Sequence, residues 1–269
     1  MIEKFLIVDG HNIASRAYFT NLYGFYDMIS QVVDDVDPDY VAIVFDSSGR
    51  TWRHDLYNGY KASRKTDPDR QAYIASVKAS LDGLVPVYAA PGEEADDIIA
   101  SLSKGFLEMP RRCEAHCYIL SNDSDLLALV GAQVSVIAPT GSFRDRVTHD
   151  SRSVFEKMGV WPQQIADYKA MVGDASDDIP GVHLIGPKGA CKLLAQYEDK
   201  TGILNAIADA AWSKEPRWAR LINASMENFE LSYNLAELRT PAVEGPELTR
   251  FQGKAILQTA LRRYRAKVL

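Results

Sequence analysis

FLIVDGHNIASRAYFTNLYGFYDMISQVVDDVDPDYVAIVFD, residues 5–46, reads as strand, helix and strand. Two short apolar runs near 4–9 and 41–46 enclose a span from about 12 to 36 with helical spacing of its apolar residues. Further buried strands are expected near 85–89, 117–121 and 134–138, with helices near 68–82 and 93–107. That alternation predicts an α/β domain with a mainly parallel central sheet. Ligands of such sheets bind beyond the carboxyl ends of the strands, and Asp9, Asp46 and Asp123 fall at or just past such ends. From about residue 150 the strand signals stop, and helical stretches follow near 150–158, 162–173, 187–197, 215–223, 225–237 and 252–266. No linker, low-complexity tract or repeat intervenes, so a helical region over 161–269 is expected to pack onto an α/β domain over 1–160. The last stretch, LQTALRRYRAKVL, is basic and amphipathic and reads as a packed terminal helix with a solvated face.

The 269 residues can bury one large core, or one core and a smaller lobe. A hydrophobic share of 46% and a charged share of 25% fit a soluble globular protein, and no apolar run approaches the roughly 20 residues of a membrane span. The N-terminal FLIV is too short for a signal sequence, so the expected location is cytoplasmic. Cys113, Cys117 and Cys191 are too few for a disulfide framework. His116 between the first two invites a zinc reading, but no second ligand pair follows at finger spacing. The net charge of −6 argues at first against a nucleic-acid partner. It is concentrated in a few acidic groups, and the remainder of the chain is net positive.

Those groups are Asp9 in FLIVDG, Asp46 in VAIVFD, Glu94, Asp96 and Asp97 in PGEEADD, Asp123 and Asp125 in SNDSD, and Asp174 and Asp177 in GDASDD. Gathered in one patch, nine carboxylates would repel strongly unless cations neutralised them. Oxygen ligands of this kind suit hard divalent cations, so a site for two Mg²⁺ or Mn²⁺ ions is expected. Acids at a helix start also stabilise its dipole, but four in the five positions 93–97 exceed what capping needs. Asp123 and Asp125 taken alone would also serve as turn and N-cap residues.

Residues 47–70 carry six Lys or Arg, among them Lys61, Arg64 and Lys65, interleaved with Trp52, Tyr57 and Tyr60. Such a stretch is ordinarily a solvated surface, yet cations interleaved with aromatics also mark single-strand binding surfaces. MVGDASDDIPGVHLIGPKGACKLLAQY, residues 171–197, reads as a helix end, an acidic turn, a short hairpin and a helix opening at Pro187. A Gly-rich hairpin feeding a helix N-terminus offers backbone N–H groups to phosphate, with Lys188 and Lys192 on the first turns. A generic helical hairpin is the plainer reading of the same residues.

The ordered set VDGHN, VFD, GYKASR, PGEEADD, SNDSD, GDASDDIPGV and IGPKGACKLL resembles the 5′-nuclease family over about residues 4–240. That family includes the 5′→3′ exonuclease domain of bacterial DNA polymerase I and stand-alone phage flap endonucleases. The resemblance implies a PIN-like α/β domain with a helical arch near 50–80, and a helical region holding a helix–three-turn–helix DNA-binding motif. It implies that Asp9, Asp46, Glu94 and Asp96 gather a first ion, with Asp97 close by or acting through water. Asp123, Asp125, Asp174 and Asp177 would hold a second. Lys61 and Arg64 match the family's catalytic basic pair. Tyr60, Lys65, Gly181, Gly186, Lys188 and Lys192 are the expected DNA contacts, with K⁺ as a further cation on the hairpin carbonyls. Asp178 stands where the family commonly has Asn, Leu184 where the hairpin usually has Gly, and Glu93 is an extra acid.

The implied protein is a stand-alone, monomeric, structure-selective nuclease of DNA replication and repair, acting on a 5′ flap, a nick or a free 5′ end without membrane association. Rival readings are a primer-removing nuclease on RNA–DNA hybrids, a non-catalytic binder of branched DNA, and a small-substrate phosphatase. The basic segment and the hairpin speak against the phosphatase, and no expected carboxylate is missing.

Overall fold

The structure, a computed structural model, describes residues 2–20, 23–140, 145–210, 216–242, 250–251, 253 and 255–268. In chain order, β1 (Ile2–Asp9), α1 (Gly10–Thr20) and α2 (Gly24–Val36) lead to β2 (Tyr40–Val44). Helices α3 (Trp52–Leu56) and α4 (Pro68–Leu81) precede β3 (Val87–Tyr88), α5 (Ala95–Glu108), β4 (Glu114–Leu120), β5 (Val134–Thr140) and β6 (Asp145–His149). The later elements are helical: α6 (Ser151–Met158), α7 (Ile165–Val172), α8 (Pro187–Tyr197), α9 (Lys200–Ala210), α10 (Arg217–Ala224), α11 (Met226–Ala236) and α12 (Ala255–Val268).

The sheet order is β3-β2-β1-β4-β5-β6. Every neighbouring pair is parallel except β5 with β6. The mainly parallel α/β sheet expected from the alternation is therefore present. The helix expected over 12–36 is divided in two, and β6 was not anticipated. Its residues DRVTH are mostly exposed and carry no apolar run, so only pairing with β5 makes them a strand. Helices α3 and α9 were also not foreseen.

Side chains of β1 alternate faces, as a strand requires. Leu6 and Val8 join Phe25, Ile29, Val41, Ile43, Ile74 and Val77 in a buried cluster. Phe5 instead meets Phe106 of α5 at 5.0 Å between ring centroids. Directly after Asp9, a Cβ on Gly10 would lie 2.7 Å from Phe45 Cζ and 2.8 Å from Ile43 Cγ2. Only glycine lets α1 leave the strand end so close to β2.

The chain forms two compact units, each drawn from more than one stretch of sequence. The first holds Met1–Thr51, Thr66–Asp150 and Arg239–Leu269; the second holds Trp52–Lys65 and Ser151–Leu238. Helix α12 belongs to the first because Leu257, Ala260 and Tyr264 are buried in its core, where Tyr264 meets Tyr23, Tyr26 and Tyr73. Residues 52–65 belong to the second because Tyr60 packs with Ile179 and Leu235, and the buried Arg53 donates to the carbonyls of Leu235 and Glu237. The segment expected to form an arch near 50–80 is thereby divided, with α3 in one unit and α4 in the other.

Candidate functional site

Strand β1 has β2 on one side and β4 on the other, so the strand order reverses there, the place where open parallel sheets bind ligands beyond their carboxyl ends. Asp9 is the last residue of β1, with Asp46 just past β2 and Asp123 just past β4. Asp9 is buried; its Oδ1 accepts from the Asn12 N–H at 3.0 Å and its Oδ2 from the Ser121 hydroxyl at 2.7 Å. Ser121 in turn accepts the Asp123 N–H, and Asp123 accepts the N–H of Asp125, which fixes the SNDSD turn against β1. On the other side Asp46 accepts the Ala95 N–H at 2.9 Å and so caps α5. His11 lies 3.3 Å from the second oxygen of Asp46. Glu94 is buried and accepts from the Thr51 hydroxyl.

Electrostatics bind these residues into one group. Burial raises the Asp9 carboxyl to about 7, against hydrogen bonds from Asn12 and Ser121, with Asp46 and Asp123 adding to the rise. Asp96 is pushed well above the usual carboxylate range by burial and by the charges of Asp123, Asp9, Asp125 and Asp46. Five carboxylates thus repel one another at the strand ends, beside the positive end of α5. Such oxygen-only donors fit a hard divalent cation. Among the described residues, no three Asp, Glu, His or Cys groups already stand close enough to enclose an ion.

Asp97 departs from this group. It is fully buried, and its Oδ1 accepts the Arg239 N–H at 2.9 Å. The Ser101 hydroxyl reaches the Pro241 carbonyl, so this face of α5 fastens the returning chain rather than the strand ends. One oxygen of Asp97 is thus engaged by the returning chain. The zinc reading at Cys113, His116 and Cys117 also finds no support: Cys117 is buried in the core, and His116 pairs with Ser135.

In the second unit the acidic turn and the basic segment are joined. Asp174 accepts from Lys169 Nζ at 2.6 Å and from the N–H and hydroxyl of Ser176. Burial alone would raise its carboxyl, but Lys169 and Ser176 outweigh it and hold it at about 2. Asp177 is buried, with Arg64 bonded to one oxygen and the Tyr60 hydroxyl to the other at 3.1 Å. Lys61 Nζ stands 3.8 Å away, and the Lys61 N–H donates to the Asp177 carbonyl. Asp178 adopts φ 56° and accepts the Ser63 N–H, a left-handed position that Asp tolerates as Asn does. Lys169, Ser176 and Ser121 went unnoticed in the sequence, where isolated Lys and Ser carry no signal.

Two of the expected DNA contacts, Tyr60 and Gly181, are engaged within the second unit. Tyr60 is 3% exposed and is spent on Asp177 and the apolar contact with Ile179 and Leu235, so it presents no face to a base. Gly181 is buried at φ 65°, donates its N–H to Ser232, and backs onto Gly173, so it cannot offer that N–H to a phosphate. Lys65, Gly186, Lys188 and Lys192 are exposed, as surface contacts require. A cavity of about 730 Å³ in this unit is lined by Trp161, Asp167 and Tyr233 among others, and by none of the candidate residues.

A family profile described as "5'-3' exonuclease, N-terminal resolvase-like domain" matches residues 4–159, and one described as "5'-3' exonuclease, C-terminal SAM fold" matches 160–257. The chain is 36% identical over 254 residues to a 5'-3' exonuclease of Aquifex aeolicus, covering 89% of this chain and 83% of that one. It is 40% identical over 212 residues to DNA polymerase I of Caldicellulosiruptor bescii, covering 72% of this chain and 24% of that protein. For the thermostable DNA polymerase I of Thermus aquaticus, identity is 34% and the shares are 88% and 29%. The chain thus spans under a third of the length of these polymerases. A T5 5'-exonuclease structure with divalent zinc ions superposes with a TM-score of 0.74 at 21% identity, covering 98% of this chain and 99% of that one. A complex of the T5 flap endonuclease with DNA and metal ions also gives 0.74 at 21% identity, covering 98% and 100%. At that identity the likeness concerns the fold. No helix among the described residues is long and apolar enough to cross a membrane.

Proposed function

This chain belongs to the 5'-3' exonuclease family, and we propose that it is a structure-selective 5′ nuclease hydrolysing phosphodiester bonds at 5′ ends, nicks and 5′ flaps of duplex DNA. The observation that carries this reading is that Asp9, Asp46 and Asp123 stand at the carboxyl ends of the parallel strands, with Asp46 bonded to the acidic start of α5 and Asp123 to the N–H of Asp125. We assign Asp9, Asp46, Asp96, Asp123 and Asp125, with Glu94, to a pair of Mg²⁺ or Mn²⁺ ions, and we assign Asp174 and Asp177 as further ligands on the family resemblance. When bound, such ions supply Lewis-acid stabilisation of developing charge and lower the pKa of water at the scissile phosphate. Asp97 is assigned a positioning role through Arg239.

Lys61 and Arg64 are the proposed electrostatic catalysts on the phosphate. In the free protein both neighbour Asp177, so a phosphate oxygen would have to compete with that carboxylate. Asp177 keeps the two cations positioned until substrate arrives. Products would be 5′-phosphorylated mono- or oligonucleotides. The hairpin carbonyls between Gly181 and Gly186 are the proposed seat of a K⁺ ion, and the working form is proposed to be a monomer.

The test is cleavage of labelled 5′-flap, nicked, blunt and RNA–DNA substrates with Mg²⁺, using the native chain and Asp96→Asn. Cleavage of the flap or nick, reduced by about two orders of magnitude or more in the variant, is expected. Binding without cleavage of any substrate would replace this reading with a non-catalytic binder.

A further inference from the structure

Leu184 combines two properties that a folded chain ordinarily avoids. Its φ is 65°, in the left-handed region that strongly disfavours a branched side chain, and the residue is 63% exposed. Neither backbone preference nor burial therefore accounts for a leucine here. An outlier of this kind at a surface hairpin points to a contact made by the side chain.

The surroundings identify the kind of partner. Leu184 stands over a groove of about 310 Å³ formed with α8 and α10, whose lining includes Lys192, Arg217 and Trp218 and no carboxylate. Lys188 is exposed on the adjacent first turn of α8. An apolar tip set among exposed cations complements a nucleic-acid duplex, whose phosphates suit the cations and whose sugars and base edges suit the apolar group. A protein segment would need acidic residues to match the same cations.

We propose that Leu184 is a duplex-contacting residue, packing into the minor groove while Lys188, Lys192 and Arg217 hold the flanking phosphates. The inference rests on the nuclease reading above and adds to it a grip that does not depend on charge. It also makes the departure from glycine at this position a determinant of duplex affinity. Arg217 and the groove beside Trp218 thereby extend the interface from the hairpin onto α10.

The experiment is anisotropy of a labelled 5′-flap duplex in EDTA, over a series of KCl concentrations, with the full chain and its Leu184→Ala, Leu184→Gly and Lys188→Ala variants. An uncharged contact releases no counterion. Both Leu184 variants are expected to bind about fivefold more weakly at every salt concentration, with the slope against log salt unchanged. Lys188→Ala should instead flatten the slope by about one. Leu184→Gly suits the observed φ, so its thermal midpoint should not fall, which separates lost contact from lost fold. Native or tighter binding by the Leu184 variants, with Lys188→Ala still impaired, would overturn the role of Leu184 and leave the hairpin grip standing. Unchanged binding by all three variants would overturn the hairpin grip itself.

Discussion

Asp96 and Asp97 are adjacent in sequence but do different work. A helix turns about 100° per residue, so one carboxylate joins the acidic group at the strand ends while the other enters the protein to receive the Arg239 N–H. Replacing the buried Asp97 by Ala removes the acceptor of that N–H and should cost about 1–3 kcal/mol in urea denaturation. Asp97→Asn keeps an acceptor and should lose less than half as much. Equal stability of Asp97→Ala and the native chain would return Asp97 to the metal-binding group. At this scale the sequence revealed which carboxylates exist and where strands end. Their sorting was hidden, since Arg239 lies 142 residues from Asp97. Tyr60 shows the same limit: its neighbours in sequence are basic, but Asp177 and Leu235 determine its burial.

The acidic turn between α7 and α8 depends on two glycines placed back to back. Gly173 and Gly181 both have positive φ, and a Cβ on Gly181 would fall 2.4 Å from Gly173 N. Asp174 and Ile179 bond reciprocally through their backbones, closing the loop that carries Asp177. Gly181→Ala would meet backbone, which cannot yield as a flexible side chain can. A loss of about 3 kcal/mol or more is expected in thermal unfolding, together with loosening of the Lys61 and Arg64 contacts to Asp177. A change below about 0.5 kcal/mol would show that the turn tolerates a wider path. Helices such as α4, α5 and α8 were legible because their apolar stripes repeat at helical spacing over whole turns. Strand β6 was not, since its pairing with β5 leaves no pattern in its own residues.

Across the molecule, the chain leaves the first unit after Thr51, returns at Thr66, leaves again after Asp150 and returns at Arg239. The final return matters for stability, because Leu257 of α12 is 2% exposed in the core shared with α2 and α4. Leu257→Ala should therefore cost about 2–5 kcal/mol, the range for a buried leucine. A thermal midpoint unchanged by that variant would show that α12 is only loosely attached. By itself the sequence determined the alternation of strands and helices, the carboxylates at the strand ends and the family motifs, because periodicity and spacing are local properties. Tertiary structure alone decided that α12 completes the first core, that residues 52–65 join the second unit, and that Asp97 and Tyr60 face inward. Those outcomes depend on burial and hydrogen bonding between residues more than a hundred positions apart, which no window of sequence contains.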